Sequence, residues 1–180
     1  MQLKMTGNRH AAGFSLLEVL IALVITVIGL FGIAKMQAAA IANTQIARGQ
    51  SLIALQLESL AGAMHGNKGF WAAGLVPATF SMTGATVTDT TGKLSATAPD
   101  CKATTCTPTQ LAAYDVQGWA AEMNAHFPTY SAAVNCVVLI NKPVTCTVSA
   151  SWNESNLAYN QTTATLAGQT TQSLTLYVQP

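Results

Sequence analysis

Between Phe14 and Ala34 the chain runs through 21 residues with a single charge, Glu18. After that carboxylate, Val19 to Ala34 holds no ionisable group. A helix rises about 1.5 Å per residue, so the run reaches about 31 Å, close to one bilayer core. A core helix of a soluble domain keeps a polar face, and this segment has none. The run therefore predicts a membrane-inserted helix over about residues 14–34. It is also longer than the apolar core of a secretory signal, and the small residue Gly13 lies ahead of it.

The rest of the composition narrows the function. Charged residues make up 8% of the 180 residues, against about 25% in ordinary globular chains. The formal net charge is +1, and removing Lys4 and Arg9 with residues 1–13 leaves 6 basic and 7 acidic groups, a net of −1. Neither balance creates the field that gathers nucleic acid, and no nucleic-acid partner is expected. Basic residues lie on both sides of the apolar run (Lys4 and Arg9 before, Lys35 and Arg48 after), so charge alone does not set its orientation. The short polar leader favours an N-terminus inside.

Glu18 conflicts with its surroundings. A carboxylate at the centre of a bilayer helix costs about 2.5–3.5 kcal/mol on insertion scales. One reading leaves it shallow, among headgroups. The other gives it a cation: a cut after Gly13 would create an α-amine on Phe14, four residues away, and a neighbouring subunit would offer the same group.

These residues carry a resemblance. Gly13-Phe14-Ser15-Leu16-Leu17-Glu18-Val19-Leu20-Ile21-Ala22-Leu23 resembles the processing site and first helix of type IV pilins and pseudopilins. The resemblance implies cleavage after Gly13 by a prepilin peptidase, N-methylation of Phe14, and Glu18 as the carboxylate that supports docking into a filament. Many major pilins carry a helix-bending proline where this chain has Lys35; Gly29 and Gly32 are the flexible positions here instead.

Beyond the apolar run, Ile46, Ile53, Leu57, Leu60 and Met64 fall on one helical face. They predict one helix from Phe14 to about Met64, some 75 Å long, with its second half packed on a soluble domain. Gly62 and Gly66 are the stop signals. Residues 66–100 read as loop with one short strand near Ala85–Thr88. Thr107-Pro108-Thr109-Gln110 starts a helix: a cap, a first-turn proline and a capping-box glutamine. Ala112, Val116, Trp119, Met123 and Phe127 form its apolar face, and Pro128 ends it. Val144 to Trp152 alternates apolar with hydroxyl residues, a strand buried on one side. Val134–Ile140 is its hairpin partner, Ser173–Val178 a third strand, and Asn153–Gln172 a polar loop.

Four cysteines allow three pairings. Cys101–Cys106 and Cys136–Cys146 are favoured. A hairpin centred on Asn141 sets Cys136 opposite Cys146, and a domain outside the cytoplasm permits disulfides. Thiolates spaced 5, 30 and 10 apart do not match a zinc knuckle, and no metal or other cofactor is expected. His126 has no metal-ligating neighbours in the sequence, Asp115 and Glu122 stand two helical turns apart, and no nucleophile motif appears. An enzyme is not expected.

A second stretch, Cys106 to Trp119, is similar to a segment of the PilV kind of minor pilin, as is the strand ending at Trp152. The expectation is an α+β, pilin-like fold: a leader at 1–13, a long helix at 14–64, and a periplasmic domain at 65–180 with two disulfides. The implied function is a minor pilin of a type IV pilus that primes assembly, with the inner membrane as its station before assembly and the cell-surface pilus after it. Its implied partners are the prepilin peptidase, the other minor pilins, the major pilin and a large tip adhesin. A type II secretion pseudopilin shares the N-terminal motif, and a tip subunit for adhesion or DNA uptake is the further alternative.

Overall fold

A computed structural model describes residues 15–155 and 169–180. The order of elements is α1 (Leu16–Gly66), β1 (Thr79–Thr83), β2 (Thr86–Asp89), α2 (Pro108–His126), β3 (Ser131–Val137), β4 (Thr145–Ser155) and β5 (Gln169–Val178). The strands form one antiparallel sheet ordered β2-β1-β3-β4-β5. The result is the α+β, pilin-like architecture that the sequence leads one to expect.

Contacts divide the chain into two units, Met1–Asn43 and Thr44–Pro180. The boundary falls inside α1, so the C-terminal turns of that helix belong with the domain rather than with the apolar segment. In the first unit every described residue up to Ala38 is exposed. Gly29 and Gly32 lie within an unbroken helix, and a Cβ at either would meet nothing within 4 Å.

In the second unit, Ile53, Leu57, Leu60 and Met64 are the buried stripe of α1, while Ile46 is only half-buried. They share one core with Ala112, Val116, Trp119 and Met123 of α2 and with the inner face of the sheet. The Trp119 indole donates to the Gln56 carbonyl at 2.7 Å and meets the Tyr130 ring edge-on at 5.9 Å, tying the two helices to the sheet. Tyr130 is buried, and its hydroxyl faces the carbonyls of Gly84 and Ala120 at 2.8 and 3.2 Å. Burial pushes its pKa up to about 12.

The start of α2 follows the sequence signal closely. Thr107 accepts from the Gln110 amide and the Gln110 side chain reaches back to the Thr107 amide, a complete capping box. Replacing Thr107 with alanine is expected to cost about 1 kcal/mol, read as a lower urea midpoint of the detergent-solubilised chain; an unchanged midpoint would refute the role.

The structure corrects three strand assignments. The 66–100 segment holds two strands, not one. β1 and β2 form a hairpin closed by Gly84 and Ala85, and Gly84 sits at φ +59°, a conformation glycine takes without penalty. The partner of β4 begins at Ser131 and ends at Val137, so Val138–Ile140 is loop: there the Lys142 amide donates to the Leu139 carbonyl and forms a turn instead of a ladder. Finally, β4 extends through Ser155 and β5 starts at Gln169, so both ends of the stretch read as polar loop are paired, with Asn153 opposite Thr171.

The outer face of the sheet carries mostly hydroxyl side chains, with Val137 and Tyr177 as exposed exceptions. Thr79, Ser81, Thr83, Thr86 and Thr88 continue across the register into Ser131, Ala133 and Asn135, then Thr147, Ser149 and Ser151, then Ser173, Thr175 and Tyr177. Hydroxyls bond across strands there, Ser131 to Ser151 at 2.8 Å and Ser149 to Thr175 at 3.2 Å. None of these residues is charged.

Candidate functional site

The site is the start of α1. Ser15 opens the helix: its carbonyl accepts from the amides of Glu18 and Val19 at 3.0 and 3.3 Å, and its hydroxyl from the Leu17 amide at 3.3 Å. Glu18 therefore stands in the first turn, where a carboxylate meets the positive end of the helix dipole. Leu17, Ile21, Ala22 and Ile25 surround it on the helix surface, and these apolar side chains are exposed. Further along, Thr26 satisfies its hydroxyl by donating to the Ala22 carbonyl, so Glu18 is the one ionisable group between Ser15 and Ala34.

Among the described residues no cation lies beside the Glu18 carboxylate. A helix long and apolar enough to cross a membrane thus carries an acid near its N-terminal end. In lipid the carboxylate is costly; against an ammonium in a helix bundle that cost is offset. Gly13 and Phe14, the expected cleavage and methylation residues, lie outside the described residues.

The four cysteines stand in two pairs. The sulfurs of Cys101 and Cys106 are 1.97 Å apart, just ahead of α2; those of Cys136 and Cys146 are 2.04 Å apart, across directly paired positions of β3 and β4. The second pair is buried at the base of the β3–β4 loop.

The other polar candidates do not converge. Asp115 lies with Lys102, Tyr114 and Glu122 in an open groove beside α2, and no group of His, Cys, Asp and Glu among the described residues could hold a metal. His126 is exposed in the last turn of α2. Burial raises the Asp115 pKa above its ordinary 3.8. The folded chain then holds that proton more tightly than the unfolded chain. The resulting stability is present at acid pH and is lost as pH rises through the raised folded value. Asp115→Asn should therefore gain stability at neutral pH relative to acid pH when compared with the original chain, and an identical pH dependence of the two in urea titrations would contradict this.

Sequence reasoning gave no role to two surfaces. The β3–β4 loop presents Val138, Leu139 and Ile140 to solvent, with Ile140 92% exposed. The edge strand β5 leaves two leucines of the inner face incompletely covered. The first is not evident because an apolar run suits a strand as well as a loop, the second because a strand's position in the sheet is not written in its own residues.

Residues 8–34 match the family model described as the prokaryotic N-terminal methylation motif. Comparison with curated proteins and with solved structures gives no match. The matched segment contains Gly13, Phe14, Glu18 and the exposed apolar turns that follow, the pattern of a prepilin peptidase substrate that assembles into a pilus or pseudopilus. The motif and the long apolar helix together indicate a membrane-anchored, type IV pilin-like protein.

Proposed function

We propose that this chain is a minor pilin of a type IV pilus. It is cut after Gly13, methylated on Phe14, and held in the inner membrane by the apolar part of α1 with its domain in the periplasm. It then passes into the filament with other minor pilins and the major pilin, priming assembly near a tip that carries a large adhesin. A role in structure rather than catalysis fits the pilin-like family. The observation that carries the reading is the methylation motif at residues 8–34, with Glu18 set in the first turn of an exposed apolar helix. The two cysteine pairs support it, since oxidised pairs persist outside the cytoplasm.

The physical account is an exchange of environments. In the membrane the apolar face of α1 is solvated by lipid. In a filament it is solvated by neighbouring helices, and the Glu18 carboxylate meets the α-amine of a processed N-terminus. The favourable pairing exists only in the assembly, so it biases the equilibrium toward incorporation.

Mass spectrometry of the chain purified from membranes tests the first step. The expected species begins at methylated Phe14, and its four cysteines alkylate only after reduction. Glu18→Ala tests the second: cleavage should continue while the amount recovered in sheared filaments falls at least about tenfold, the equivalent of 1.4 kcal/mol. Undiminished incorporation of that variant would remove Glu18 from assembly. A pseudopilin of a type II secretion system fits the same motif; deletion separates the two, since loss of surface pili supports the proposal and loss of protein secretion with pili intact supports the pseudopilin.

A further inference from the structure

The two cysteine pairs occupy different settings. Cys136 and Cys146 are 6% and 2% exposed and belong to the core, across paired positions of β3 and β4. Cys101 and Cys106 are half-buried, lie outside the helices and strands, and bridge a turn. Besides the sulfurs, bonds to Asp100 hold that turn. Its carbonyl accepts the amides of Ala103 and Thr104 at 3.1 and 3.0 Å, and its carboxylate the exposed Lys102 amide at 3.0 Å. Exposed bonds of this kind open readily once a cross-link is gone. The flanks are anchored independently. On one side, the Gln117 side chain donates to the Leu94 and Ala96 carbonyls at 2.8 and 2.7 Å. On the other, the Asn67 side chain donates to the Pro108 carbonyl at 2.7 Å, and the capping box fixes Thr107. Loss of the sulfur–sulfur bond therefore frees only the residues between Ala96 and Thr107.

The two sulfurs also differ as leaving groups. Cys106 immediately precedes the cap of a 19-residue helix, and Thr107-Pro108-Thr109-Gln110 holds no acid. A thiolate there meets the positive end of the helix dipole. Cys101 lies between Asp100 and Lys102, whose charges offset each other. Exchange is faster when the departing thiolate is the more stable one. An incoming thiolate is thus directed to the Cys101 sulfur, and Cys106 departs.

We propose that Cys101–Cys106 is a redox clasp, opened by a dithiol while the domain stays folded. One thiolate of the dithiol bonds to the Cys101 sulfur as the bond to Cys106 breaks, and the second thiol then displaces Cys101. The dithiol is oxidised to a disulfide, and its two electrons and two protons end on the two cysteines. Opening releases Lys102, which lines the groove beside α2 with Tyr114, Asp115 and Glu122, so the clasp sets the shape of that groove. This goes beyond the assembly role of α1 and depends neither on cleavage at Gly13 nor on Glu18.

The full chain in dodecyl maltoside micelles provides the test. It is titrated with dithiothreitol, quenched with iodoacetamide and mapped by mass spectrometry. Cys101 and Cys106 are expected to alkylate together at a dithiothreitol concentration at least about tenfold below that needed for Cys136 and Cys146. At that concentration the near-ultraviolet circular dichroism of the buried Trp71, Trp119 and Trp152 is unchanged. Amide exchange rises about tenfold or more at Ala103 and Thr104 but not in α2. With glutathione, a monothiol, the trapped adduct is expected on Cys101 and the alkyl group on Cys106. The proposal fails if both pairs open together, if the tryptophan signal falls with the first pair, or if exchange at Ala103 and Thr104 does not change. It fails also if glutathione is found mainly on Cys106, which would leave an accessible disulfide without directed exchange.

Discussion

Gly13→Leu is expected to leave the chain uncut, visible on a gel as a single slower band in place of the processed form. The reason is steric. The bond proposed for cleavage follows a residue without a side chain, just ahead of the apolar run that begins at Phe14. A peptidase that reaches such a bond must close around the backbone, and an isobutyl group at Gly13 occupies the space that its absence leaves free. Without cleavage there is no amine on Phe14, so the partner proposed for Glu18 is missing, and incorporation into filaments falls with processing. Gly13→Ala, adding one methyl, should process partially. A Gly13→Leu chain that is cut at the normal rate would show that another bond is the substrate, and the Glu18 argument would lose its cation.

The second large effect concerns the domain. Trp119→Ala should destabilise it by about 4 kcal/mol, the range typical for removing a buried tryptophan. The side chain is 6% exposed and joins three parts of the domain: it lies on α2, bonds the Gln56 carbonyl of α1, and packs edge-on against Tyr130, the residue just before β3. A cavity there would open between both helices and the sheet. Single domains hold only about 5–15 kcal/mol in total, so the loss is a large share. Trp119→Phe restores much of the packing without the donor and should cost about 1–2 kcal/mol, which separates the hydrogen bond from the volume. Urea unfolding followed by far-ultraviolet circular dichroism reads both. A Trp119→Ala loss below about 1 kcal/mol would mean that the site collapses around the deletion.

The parts of this fold that are legible in the sequence are those where one residue pattern has one physical solution. The run from Val19 to Ala34 admits no polar face, and α1 follows. The cap at Thr107 and the stripe ending at Phe127 admit only α2. Val144 to Trp152 alternates so regularly that β4 and its pairing of Cys136 with Cys146 are readable before any coordinate. Other elements are set by neighbours. β1 offers only Phe80 and Met82 as inward residues, too short a signal to separate from loop, and it exists because β2 and β3 flank it. Val138–Ile140 is apolar enough for a strand, yet β4 begins only at Thr145, so nothing continues the ladder past Cys136 and Val137. Thr171 and Asn153 read as loop because their polarity suits solvent, but the outer face of a sheet suits them equally. At the N-terminus the motif itself carries the site, and Glu18 is conspicuous through its charge alone.

The hydroxyl-covered side of the sheet has one more consequence. Its described residues are Thr, Ser, Ala and Asn with Val137 and Tyr177, and none of them is charged, so no counterions gather on it. Anything that settles on it displaces water rather than salt. Contacts made through that side would therefore be little affected by charge screening, whereas exposed ion pairs weaken as the Debye length shrinks to about 3 Å at 1 M.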